Sequence, residues 1–94
     1  MDIPGWRKKI DEIDRKLVDL LNQRARAARE IGRLKQNTQM PIYEPEREKA
    51  IIERVHATNR GPISNPDLTA VFEIIIGIMR RMQQDETAAK NSTG

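Results

Sequence analysis

Arg24 and Lys35 are charged residues in apolar company, and their spacing is where chemistry first shows in this chain. Leu17, Arg24 and Ile31 follow one another at heptad spacing, so Arg24 stands on an apolar stripe, where a guanidinium calls for an anion. Lys35 comes eleven residues later, and at about 100° per residue it returns to nearly the same face, roughly 16 Å along the axis. Two long cationic side chains can therefore lean toward one anionic ligand lying between them. Arg7 precedes Arg24 by seventeen residues, roughly 25 Å and about 100° round the same helix, so the two cannot meet within one chain. If that helix pairs antiparallel with its copy, the start of one chain lies near the middle of the other, and Arg7 completes the partner's site.

Further along, Glu44, Arg47 and Glu48 share a helical face with Ile51 and Val55, which turns charge inward at the start of that face. Gln83 extends the stripe of Phe72 and Met79 with an amide that can donate hydrogen bonds. Each of these residues has a plainer explanation open to it. Arg7 could be a solvated charge near a helix start, and Lys35 a cation favoured at a helix C-terminus. Arg47 and Glu48 could serve in local pairs worth roughly 0.2–0.5 kcal/mol. Gln83 could be a helix end, and Arg24 could snorkel to solvent. His56 has no second metal ligand beside it and reads as a surface residue, and the chain has no cysteine, so neither a metal centre nor a cofactor is expected.

The elements that must position these groups are legible as helices. From about Gly5 to about Lys35 apolar residues recur at helical spacing without a proline, a helix of roughly 30 residues or about 45 Å. That length outruns a compact domain of this size, and a second copy of the chain is the simplest cover for its apolar stripe. Residues 36–41 are polar and end in proline, a loop. Pro45 opens a second, short helix running to about Asn59, which Arg60-Gly61-Pro62 stops. Ser64 or Asn65 caps a third helix of medium length that begins at Pro66 and ends near Gln84. Residues 85–94 are small and polar, a frayed tail beyond a domain spanning residues 1–84. With no strand-length alternation, the expected fold is all-α, an intertwined antiparallel homodimeric bundle of three helices per chain.

Composition narrows the function. The net charge is +3, but 17 basic residues are interleaved with 14 acidic ones, unlike the one-sided stripe of a nucleic-acid binder. Three aromatic residues, Trp6, Tyr43 and Phe72, are too few for a base-stacking platform. The longest apolar cluster, residues 74–79, is far too short to span a bilayer, and no leader-like segment opens the chain, so a soluble, cytoplasmic protein is expected.

The run Trp6-Arg7-Lys8-Lys9-Ile10-Asp11-Glu12-Ile13-Asp14, followed by Leu17, Leu20-Leu21, Arg24, Ile31-Gly32, Lys35 and Pro41-Ile42-Tyr43-Glu44-Pro45-Glu46-Arg47-Glu48, resembles the all-helical class of chorismate mutases from about Arg7 to Gln83. The joint pattern is specific, although each piece alone is weak. The resemblance implies that Arg24 and the partner's Arg7 bind the two carboxylates of chorismate, with Arg47 in support. It implies that Lys35 and Gln83 donate to the ether oxygen, that Glu48 accepts from the ring hydroxyl, and that Glu44 lies close to that group. Some members carry aspartate where Glu44 stands, and a small polar residue where Met79 stands, so Met79 takes no role. The reaction, a [3,3] rearrangement of chorismate to prephenate within phenylalanine and tyrosine biosynthesis, needs no nucleophile, metal or proton relay. Two rivals remain: an isochorismate pyruvate lyase of the same fold, which the acidic pair Glu44 and Glu48 fits less well, and a helical interaction or nucleic-acid-binding module.

Overall fold

The protein, seen in a computed structural model that describes the backbone of residues 1–93 and the side chains of residues 1–87, consists of α1 (Ile3–Thr38), α2 (Pro45–Thr58) and α3 (Asn65–Thr93). No strand occurs among the described residues. Local chemistry sets the ends of each helix. Asp2 caps α1 by accepting a 2.9 Å hydrogen bond from the Gly5 amide, and Pro4 occupies the first turn, where its missing N–H is not needed. The helix closes at Gln39, a non-glycine residue in the left-handed region at φ 57°, whose N–H returns to the Lys35 carbonyl. Pro45 opens α2 as expected, with Glu46 and Glu48 beside the positive end of its dipole. Ser64 caps α3, its hydroxyl accepting from the Asp67 amide at 3.2 Å.

Two boundaries differ from expectation. The first loop begins later than residue 36, because Gln36, Asn37 and Thr38 continue α1, with the Thr38 hydroxyl donating back to the Leu34 carbonyl at 3.1 Å. Residues 85–93, expected to fray from the helix end, continue α3: nothing after Gln84 breaks a helix, the Thr87 hydroxyl donates to the Gln83 carbonyl, and Glu86 pairs with Arg33 of α1 at 2.9 Å. Gly94 lies outside the described residues. His56 also departs from the surface role expected of it, being half-buried with its Nε2 2.6 Å from the Thr69 hydroxyl, a tie between α2 and α3.

α3 packs against both α1 and α2, whereas α1 and α2 do not pack on each other, so a gap stays open between them with α3 as its floor. The chain measures 57 × 27 × 15 Å, the long dimension being that of α1 alone. Its radius of gyration is 16.8 Å, where a compact chain of this length has about 12 Å. Among the described residues only Ala28, Ile76 and Met79 are buried hydrophobic side chains. Ile3, Trp6, Ile10, Ile13, Leu17 and Leu20 form an exposed seam at three- and four-residue steps along the first half of α1. No helix among the described residues is long and apolar enough to cross a membrane.

Candidate active site

The gap between α1 and α2 is a cavity of about 370 Å³. Arg24, Ala28 and Lys35 line it from α1, Arg47 and Glu48 from α2, and Met79 and Gln83 from α3, with Glu44 entering from the turn before α2. Six of the seven expected site residues, Arg24, Lys35, Glu44, Arg47, Glu48 and Gln83, thus converge on one space. Arg7 does not: it sits on the first turns of an unbroken α1, far along the axis from Arg24.

At one end the cavity is unbalanced positive. The Arg24 guanidinium is half-buried and held below its ordinary pKa, first by burial and then by repulsion from Arg47. Neither arginine has an acidic partner among the described residues. Two adjacent forks of this kind match carboxylates, whose two oxygens each can accept.

One helix stretch further along, Lys35 is nearly enclosed, with 11% of its side chain exposed. Its ammonium lies 2.9 Å from Glu44 and donates to the Ile42 carbonyl at 3.2 Å and, more loosely, to Gln83 Oε1 at 3.5 Å. Three donors therefore meet three acceptors, the amide contact being the weakest. Since an ammonium cannot accept, the Gln83 oxygen must be the atom facing Lys35, which leaves the amide NH₂ to the cavity.

Gly32 makes this possible. It is buried where α1 crosses α3, and a Cβ there would meet Gln83 Cγ at 3.1 Å and Gln83 Cα at 3.3 Å. Gly32→Ala is expected to displace Gln83 and, with Gln83 in the donor role that the resemblance implies, to lower kcat about tenfold or more, because small misplacements of a donor are costly. Circular dichroism should show unchanged helix content, and a kcat within twofold of the parent would mean the crossing has slack.

Glu48 is gripped on both oxygens by Arg80 of α3, Nε to Oε2 at 3.0 Å and Nη2 to Oε1 at 2.5 Å, and the Arg80 guanidinium lies 4.8 Å from the centroid of the Tyr43 ring. Sequence reasoning missed Arg80. The available signal was its place on the cavity stripe, four residues after Ile76 and three before Gln83. Among the described residues no group of three His, Cys, Asp or Glu side chains could hold a metal ion.

Residues 6–84 match the protein family described as chorismate mutase type II. The chain is 34% identical to a chorismate mutase of Methanocaldococcus jannaschii over 89 residues, covering 90% of each. It is 32% identical over 87 residues to a bifunctional chorismate mutase/prephenate dehydratase of Pseudomonas aeruginosa, matching 87% of this chain and 24% of that protein. The chain thus spans about a quarter or less of the length of the first bifunctional relatives it matches. Among solved structures, a Helicobacter pylori chorismate mutase in complex with prephenate superposes with a TM-score of 0.82 at 31% identity, over 89% of this chain and 91% of that one.

Proposed function

The chain belongs to the type II chorismate mutase family, and on that premise we propose that it converts chorismate to prephenate as a homodimer, within residues 1–84 and without a cofactor. The observation that carries the reading is the joint placement, around one cavity, of an unneutralised arginine pair and a Lys35–Gln83 donor pair.

In the rearrangement an ether carbon–oxygen bond breaks while a carbon–carbon bond forms in the same molecule, so no proton moves and no covalent intermediate arises. The protein's tasks are to hold the reactive chair and to stabilise negative charge on the ether oxygen. Arg24, supported by Arg47, takes one carboxylate through a planar fork that fixes orientation as well as position. Arg7 of the second chain takes the other. Lys35 exchanges its weak contact with Gln83 for the ether oxygen, and the Gln83 NH₂ donates to the same atom, two fixed donors aimed where charge develops. Glu48 accepts from the ring hydroxyl. Glu44, which the resemblance puts close to that hydroxyl, lies 2.9 Å from Lys35, which supports a task of anchoring the ammonium.

The exposed seam on α1 supports the dimer, since each Ile or Leu fully buried contributes about 1.5–3 kcal/mol. A second groove of about 450 Å³ adjoins the first, sharing Arg24 and Arg47 and floored by Ile51, Val55, Leu68 and Phe72. The apolar start of a second α1, carrying Trp6 and Ile10, is the occupant we propose for it. Incubation with chorismate should yield prephenate as the product, isochorismate should yield no pyruvate, and sedimentation should give twice the 10.8 kDa of one chain. Intact chorismate, or a 10.8 kDa species, would remove the reading.

A further inference from the structure

Resting on that reading, we propose that Arg80 is a positioning residue that fixes the Glu48 carboxylate against the substrate's ring hydroxyl and closes the cavity wall behind it. Nε and Nη2 of Arg80 each meet a different oxygen of Glu48, a two-point grip that sets the plane of the carboxylate and not merely its position. Among the described residues Glu48 has no other side-chain hydrogen bond or ion pair, and at 25% exposure nothing within α2 holds its carboxylate in one orientation. Arg80 is itself braced from its other side, by the Tyr43 ring at 4.8 Å on the turn before α2. The grip does not use up the acceptor. Each carboxylate oxygen has a second lone pair, so Glu48 can hold Arg80 and take a hydroxyl proton donor at once.

The same pair separates two voids. Glu48, Ile76 and Arg80 line the active-site cavity and also a second one, completed by Lys49, Ile52 and Glu73. Without the guanidinium fork only Ile76 and an unbraced Glu48 would stand between them, and water entering there would compete with the substrate hydroxyl for Glu48. The ring hydroxyl is present in substrate and transition state alike, so weakening its acceptor falls mainly on KM.

The test is steady-state kinetics on Arg80→Met, Arg80→Lys, Glu48→Gln and the double variant Arg80→Met/Glu48→Gln, with circular dichroism as the check on folding. Arg80→Met should raise KM about tenfold and leave kcat within about threefold, as loss of uniform binding does. Arg80→Lys should recover part of the loss, because a point charge restores the pair without the fork. With Glu48→Gln already present, Arg80→Met should add less than about threefold, since the residue acts through Glu48. Equal factors in both backgrounds, wild-type kinetics for Arg80→Met, or a loss confined to kcat would overturn the inference alone. A parent protein that leaves chorismate untouched would instead remove the functional reading on which it rests.

Discussion

Lys35→Ala is expected to lower kcat for chorismate by about 10²–10³-fold while the protein stays folded. A single preorganised donor at an oxygen gaining negative charge is worth roughly 3–4 kcal/mol of barrier, and here the donor is an ammonium in a nearly enclosed position. Water filling the space in the alanine variant cannot match the lost ammonium, because a water must reorient as charge develops whereas Lys35 is held in place by Glu44 and the Ile42 carbonyl. Stability should suffer far less, by about 1 kcal/mol, since Glu44 keeps 34% of its side chain in water and is not left buried and unpaired. Chorismate depletion and a thermal melt, run on one preparation, separate the two effects. A rate within tenfold of the parent would take Lys35 out of the reacting centre.

Gln83→Glu should convert a pH-insensitive step into one that runs better in acid. The amide donates at every working pH, whereas a carboxyl donates only when protonated. Lys35 stands 3.5 Å from this oxygen in the parent and would hold the new side chain as a carboxylate near neutrality. That anion both lacks a proton to donate and repels the charge growing on the ether oxygen. At pH 8 the variant should therefore turn over about 10²–10³-fold more slowly than the parent. As pH falls, the protonated fraction rises about tenfold per unit above the carboxyl pKa, and kcat should rise with it. The parent should stay flat across the same window. A flat profile for the variant would show that position 83 makes no contact with the ether oxygen.

The parts of this molecule that follow from local spacing could be read from its residues. The apolar rhythm of α1, the proline at the start of α2 and a Ser64 or Asn65 cap for α3 placed three helices, though the ends of α1 and α3 were set short. Arg24 pointed to the cavity because a cation on an apolar stripe calls for an anion, snorkelling to solvent being its one plainer explanation. Contacts between helices carried no comparable signal. Arg80 and Glu48 are 32 residues apart, and nothing near either one foretells that they meet. Glu44 pairs with Lys35 because α1 overruns its expected end and the turn doubles back, which depended on Gln39 adopting a left-handed conformation that sequence does not demand. The extension of α3 rests partly on Glu86 finding Arg33 on α1, again a pairing set by tertiary packing.

The dimer is different, since the evidence for it is a lack within one chain. One chain leaves a seam of six large apolar residues exposed and Arg7 outside the cavity, and the proposed dimer would cover the first and bring in the second.

Mixing Arg7→Ala chains with Arg24→Ala chains tests that arrangement most directly. Each variant alone should be nearly inactive, because both of its sites lack an arginine. After subunit exchange about half of the dimers are mixed, and each mixed dimer holds one site with both lesions and one with none. Chorismate turnover should then climb to about a quarter of the wild-type value. If the mixture stays at the sum of its parents after exchange has been demonstrated, the two arginines do not serve one site from two chains.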